Sequence, residues 1–104
     1  MVDLNELQKE IYANKLKKGF NVTNIPPEFC YIYGEVGEAY DAWVKNMGKE
    51  EIGLELADVT IYLLGLCEIL GISLEDEVLK KVKINEKRIY VDGKKIEPSS
   101  EDLN

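Results

Sequence analysis

Over most of the chain the apolar positions recur at intervals of three and four, the period of a helix rather than the alternation of a strand. Asp3 followed by Glu6 forms a capping box, Leu4, Leu7 and Ile11 continue at helical spacing, and Gly19 offers a stop, which predicts a first, rather polar helix over residues 3–18. Asn24-Ile-Pro-Pro supplies a turn and a proline-initiated start. The stripe of Phe29, Ile32, Tyr33, Val36, Tyr40, Trp43, Val44 and Met47 then carries a second helix to a stop at Gly48. From 49 to 70 the residues Ile52, Leu54, Leu56, Val59, Ile61, Leu63, Leu64, Leu66, Ile69 and Leu70 cover nearly every direction, the pattern of a central, buried helix. Gly71 ends it, and Ser73 with Asp76 caps a fourth helix that runs to about Arg88. After Arg88 the periodicity changes to two: Ile-Tyr-Val-Asp-Gly-Lys-Lys-Ile alternates around Asp92-Gly93, a hairpin signal. The expected architecture is all-α, four helices with a short C-terminal β-hairpin, one domain over residues 1–96 and a flexible polar tail over 97–104.

Charge changes this picture at four positions. Glu35 with Glu38, and Glu55 with Asp58, are i,i+3 pairs in the two apolar helices, each pair within about 60° on one face. Eight acidic residues and no Lys or Arg lie between Glu50 and Leu79, and four acidic residues and again no base between Gly19 and Val44. Neighbouring bases therefore do not neutralise them. A carboxylate taken from water costs several kcal/mol, so a buried one needs a hydrogen-bond partner, a raised pKa, a remote base or a metal cation. Two such pairs on consecutive antiparallel helices can meet across the interface, where four carboxylates repel unless a cation joins them. The small residues Ala39 and Ala42, on the flank of Glu35 and Glu38, let another helix come close.

Composition then removes whole classes of chemistry. The chain has no histidine, which excludes histidine-ligated zinc sites, Glu-x-x-His di-iron sites and Ser-His or Cys-His nucleophiles. Oxygen ligands remain, and these suit Mg2+ or Mn2+. Thirteen Lys and Arg against twenty Asp and Glu give a net charge of -7, against binding to a nucleic-acid polymer or a membrane. No apolar run approaches the roughly 20 residues of a membrane span, and Met1-Val-Asp-Leu-Asn lacks the basic start of a signal peptide. Cys30 and Cys67, in apolar segments, read as reduced core thiols, so a cytoplasmic protein is expected. At 104 residues the chain buries only about 60 to 70 per cent of its unfolded surface alone, which favours a homo-oligomer, an oligomeric helical bundle.

The positive charge missing from the middle of the chain appears near the end of the fourth helix. Lys81, Asn85 and Arg88, spaced by four and three, share a face and suit phosphate oxygens, as well as complementing the helix dipole. Lys17 and Lys18 have a weaker claim of the same kind. Trp43, Tyr31, Tyr33 and Phe20 are candidates to stack on a nucleobase, with packing the competing use for Trp43 and Tyr33 and the carboxylate flank favouring Tyr31. Gly34, Gly37, Gly53 and Gly65 interrupt helices at about 1 kcal/mol each relative to Ala, in exchange for close helix approach or room for a ligand.

Taken in order, Glu35-Val-Gly-Glu38-Ala-Tyr-Asp, Glu55-Leu-Ala-Asp58-Val-Thr-Ile-Tyr, Leu70-Gly-Ile-Ser-Leu and Lys81-Val-Lys-Ile-Asn85-Glu-Lys-Arg88 resemble the MazG-like all-α nucleoside triphosphate pyrophosphohydrolases, over roughly residues 4–90. The resemblance implies hydrolysis between the α and β phosphates to nucleoside monophosphate and pyrophosphate, in a house-cleaning role. It implies Glu35, Glu38, Glu55 and Asp58 as Mg2+ ligands, and Lys81, Asn85 and Arg88 as groups holding phosphate or sugar. It further implies assembly as a dimer or tetramer. Glu38 is the candidate to accept the proton of the attacking water, and Tyr31 a candidate substrate contact. Two other readings stand beside it. One is an enzyme of the dUTPase or dCTPase kind with one preferred nucleotide; the other is a non-catalytic helical module that binds nucleotide or serves oligomerisation.

Overall fold

The computed structural model describes residues 1–96, so the expected tail over 97–104 lies outside the described residues. Four helices follow one another, α1 (Leu4–Lys18), α2 (Ile25–Val44), α3 (Lys49–Leu70) and α4 (Leu74–Lys87), and then two short strands, β1 (Ile89–Val91) and β2 (Lys94–Ile96). The fold is all-α with a C-terminal β-hairpin, as the sequence pattern requires. The chain divides into two compact units, Met1–Ser73 and Leu74–Asn104.

Local chemistry sets the helix limits in the first unit. The Asp3 side chain accepts from the backbone N–H groups of Asn5 (2.9 Å) and Glu6 (3.2 Å), satisfying two of the donors that a helix start leaves open. Gly19 closes α1 in the left-handed conformation (φ 72°), and the Phe20 N–H reaches back to the Lys15 carbonyl at 2.9 Å. Gly71 ends α3 in the same way, with Ile72 N–H donating to the Cys67 carbonyl at 2.9 Å. The second helix stops at Val44, earlier than Gly48. Asn46 turns left-handed (φ 53°), Met47 N–H donates to the Ala42 carbonyl at 3.0 Å, and Gly48 becomes the N-cap of α3 instead.

Within this unit α3 packs on α2 along one side and on α1 along another. Ala39 and Ala42 are buried on α2, as small residues at a helix contact should be. Gly65 has the corresponding role on α3: a Cβ there would meet Ile11 Cγ2 and Lys15 Cδ, each at 3.4 Å, whereas one at Gly34, Gly37 or Gly53 would meet nothing within 4 Å. Gln8, buried on α1, donates to Glu68 Oε1 (3.1 Å) and to the Ile72 carbonyl (2.8 Å), and Ser73 Oγ donates to Asn5 Oδ1 (2.7 Å). These three bonds fix α1 against the far end of α3.

The expectation of a wholly buried α3 does not hold for the single chain. Leu64, Gly65 and Leu66 are its buried residues, while Leu54, Leu56, Ile61 and Leu63 are exposed. Two partner helices cannot cover every side of a helix that is apolar all round. The aromatic stripe of α2 is likewise open, with Tyr33 at 74%, Tyr40 at 65% and Trp43 at 62% exposure, and Tyr40 and Trp43 stack on each other at 6.0 Å. Cys30 is exposed rather than in the core, and Cys67 is partly buried, which raises its thiol pKa.

In the second unit α4 carries no buried residue. Ile89 pairs with Ile96, Tyr90 with Lys95 and Val91 with Lys94, and the turn at Asp92 (φ 50°) and Gly93 (φ 78°) has the two positive φ angles of a tight hairpin.

Candidate metal centre and adjoining cavity

Glu35 lies on the α2 flank and Glu55 and Asp58 on one face of α3, so packing α2 on α3 brings the three together. Each offers one oxygen, and these lie within 4.8 Å of one another. Glu35 and Glu55 are half-buried and Asp58 is exposed. Glu38, one turn on from Glu35, is exposed and hydrogen-bonds to the Glu35 carboxyl group. Burial raises the Glu35 pKa above the ordinary carboxylate value; the bond to Glu38 and the charges of Glu38, Asp58 and Glu55 push in the same direction. Glu55 is raised by desolvation first, then by Glu38, Asp58 and Glu51. Among the described residues no ion pair reaches these carboxylates.

The donor set fits a hard divalent cation. Carboxylate oxygens converge, positive charge is lacking, and Glu35 Oε2 is buried with no hydrogen-bond partner. An oxygen in that state is stabilised by a cation and by little else available to it.

A cavity of about 690 Å³ opens beside this cluster and includes Asp58 in its wall. Leu7 and Ile11 of α1, Ile61 and Tyr62 of α3, Tyr31 of α2 and Phe20 of the connection give it apolar and aromatic sides. Tyr31 meets Tyr62 edge to face at 6.0 Å. The Tyr62 hydroxyl pKa is raised by burial, then by Glu35, Glu28 and Asp58, so this ring stands among the carboxylates. Lys18 also lines the cavity and places its ammonium 5.9 Å from the Phe20 ring centroid.

A buried ion pair contributes Lys15 to the cavity wall. Lys15 is 8% exposed and Glu28 1%, and Lys15 Nζ bonds to Glu28 Oε1. Asn21 Nδ2 donates to Glu28 Oε2 at 3.1 Å, and Lys15 Nζ stands 5.9 Å from the Tyr62 ring centroid. Sequence reasoning counted Glu28 among the carboxylates without a base and passed over Lys15. The signal was present: Lys15 continues the Leu4, Leu7, Ile11 spacing, so it falls on the inward stripe of α1, where a lysine requires a partner.

The structure thus brings Glu35, Glu55 and Asp58 together, with Glu38 and Tyr31 beside them. Of the four aromatic candidates, Tyr31 and Phe20 line the cavity, while Trp43 and Tyr33 belong to the open stripe of α2. Lys81, Asn85 and Arg88 belong to the second unit. Lys81 and Asn85 are exposed on α4; Arg88 follows the helix, donates its N–H to the Asn85 carbonyl at 3.2 Å, and has a buried Nε with no hydrogen-bond partner.

This all-α domain converges acidic side chains from two helices on one point beside an aromatic cavity, an arrangement able to hold a hard cation. The chain belongs to the MazG-like family, whose sequence model matches residues 30–103. The match takes in all four carboxylates and the face of Lys81, Asn85 and Arg88, and begins beyond α1. No curated protein and no solved structure gives a significant match. Family membership indicates a nucleotide pyrophosphatase-like role. No single helix is long and apolar enough to cross a membrane among the described residues.

Proposed function

We propose that this protein hydrolyses nucleoside triphosphates, deoxynucleotides or non-standard nucleotides above all, to nucleoside monophosphate and pyrophosphate in a Mg2+-dependent reaction, for which Mn2+ can substitute. The observation that carries the reading is the convergence of Glu35, Glu55 and Asp58 with an orphaned Glu35 oxygen beside a cavity large enough for a nucleoside.

Glu35, Glu55 and Asp58 would hold the cation, with Glu38 completing the set. Bound there, Mg2+ supplies neutralising charge for the phosphates and acidifies a water molecule. Glu38, exposed and tied to Glu35, is the residue to orient the attacking water and take its proton. Tyr31 and Phe20 offer ring faces to the base, and Lys81, Asn85 and Arg88 offer donors to phosphate or sugar. Glu38→Gln keeps the size and the hydrogen-bonding reach of the side chain but not its basicity. The variant should remain folded and lose at least about a hundredfold in kcat, the usual worth of a general base; full turnover in the pyrophosphate-release assay would remove Glu38 from that role.

Self-association as a dimer or tetramer belongs to the same proposal. It is supported by the exposed apolar side chains of α2 and α3, which a single copy leaves in water. A cytoplasmic setting is consistent with the two free thiols.

A further inference from the structure

The buried ammonium of Lys15 has more to do than neutralise Glu28. Lysine offers three donors and no acceptor, and Glu28 engages the ammonium from one side. Its stem runs over Gly65, where the missing side chain gives it room, and its ammonium stands near Tyr62 in the wall of the cavity. Because Glu28 already balances the charge, the remaining donors suit a neutral acceptor better than a phosphate.

The other polar groups of the cavity differ from Lys15 in burial or in freedom. Asn21 spends its amide on its own turn: Nδ2 donates to the Asn24 carbonyl (2.7 Å) and to Glu28, and Oδ1 accepts from the Asn24 N–H (3.0 Å). Glu10, Asn14 and Lys18 follow one another at intervals of four along the exposed edge of α1, where water competes with any ligand. Lys15 is therefore a cavity-lining donor that is both desolvated and held in place by its ion pair with Glu28. An unmet or mismatched polar group discriminates most strongly in such a position.

We infer that the cavity is a nucleobase site in which Lys15 is a specificity-determining residue, selecting bases that carry an oxo group where their counterparts carry an amino group. This rests on the nucleotide reading above and extends it to the substrate: 4-oxopyrimidine and 6-oxopurine nucleotides over the 4-amino and 6-amino ones. Planar rings fit between Phe20, Tyr31 and Tyr62; the oxo oxygen accepts from Lys15, whereas an amino group would set donor against donor. The α1 wall that makes the selection precedes the residues matched by the family model, so it is a property of this chain rather than of the family match.

The test pairs ligands that differ at that group and at the ring nitrogen beside it. Binding of the non-hydrolysable α,β-imido analogues of dUTP and dCTP, and of dITP and dATP, is measured by calorimetry with Mg2+, together with turnover of the four parent nucleotides. The oxo member of each pair should be favoured on the order of 10- to 100-fold in Kd and kcat/KM, the worth of one hydrogen bond to a charged group. In Lys15→Met/Glu28→Leu, checked for folding by circular dichroism, the ratio should collapse to near one. Parity or an amino preference in the natural protein overturns the inference, as does an unchanged ratio in the folded double variant. If the double variant does not fold, the natural protein's ratios decide alone. Binding with the expected preference but no hydrolysis would sink the hydrolase reading and leave the inference standing; no binding of any analogue would sink both.

Discussion

Removing either partner of the Lys15–Glu28 pair should unfold much of this protein, while removing both should not. Glu28 is 1% exposed and Lys15 8%, so neither Lys15→Met nor Glu28→Leu lets water reach the charge left behind. Breaking a buried pair from one side costs about 3 to 5 kcal/mol, a large share of the 5 to 15 kcal/mol that stabilises a typical domain. For a domain of this size that corresponds to a fall in Tm on the order of 20 °C. The double variant strands no charge. It loses the bond from Asn21 to Glu28, worth about 1 kcal/mol, but Asn21 keeps its donation to the Asn24 carbonyl, and two apolar side chains gain each other across α1 and α2. Thermal and urea unfolding of the four proteins in the cycle, followed by far-UV circular dichroism, should therefore place the double variant above both single ones. Single variants within about 1 kcal/mol of the natural protein would show the pair to be solvated and refute the argument.

Other consequences are sharper for the carboxylate cluster. Glu35→Gln should abolish Mg2+-dependent turnover and yet raise the Tm in EDTA by relieving repulsion; activity close to that of the natural protein would exclude Glu35 as a cation ligand. Glu35 and Glu55 hold protons more tightly in the fold than in the unfolded chain, so their contribution is full at low pH and lost as pH rises through their raised values. The Tm of the metal-free protein should consequently fall, relative to the Mg2+-loaded protein, as pH rises above the ordinary carboxylate range, and parallel melting curves in the two conditions would contradict this. Gly65→Val should cost about 1 to 3 kcal/mol by forcing α1 from α3, whereas Gly53→Ala, with open space around it, should be neutral or stabilising in the same melts. Trp43→Glu should shift the protein to smaller species in sedimentation velocity if the open stripe of α2 is the association face, and an unchanged profile would exclude it.

Much of this structure is written locally. Asp3, the proline pair after Ile25, Gly19, Gly71 and the Asp92-Gly93 turn each act on backbone within a few residues, so the limits they set could be read from the chain almost to the residue, whereas α2 stops at Val44, short of the expected Gly48. The carboxylates were legible for a different reason: a run of acids without bases in apolar helices is a conflict visible in one dimension. What escaped were facts that depend on which surfaces meet. Lys15 and Glu28 find each other only when α1 folds back on α2 through the Asn21 turn. Gly65 and Gly53 look alike until α1 crosses one of them. The apolar stripes announced burial, but two neighbours in a single chain cover only part of α3, and the aromatic face of α2 remains open.

The order of docking has its own consequence for motion. Only Lys45 to Gly48 separate α2 from α3, so these helices can pair after closing a short loop, whereas Gln8 meets Glu68 and Asn5 meets Ser73 across most of the first unit. Longer closures carry the larger entropy cost, which places the arrival of α1 late in folding. A segment that docks last on a preformed pair is also the natural one to detach first in the folded protein. Amide hydrogens of α1 should therefore exchange through an opening smaller than global unfolding. Such an opening would widen the cavity without disturbing the carboxylates, giving a bulky ring a broader way in and out than the packed α1 leaves it.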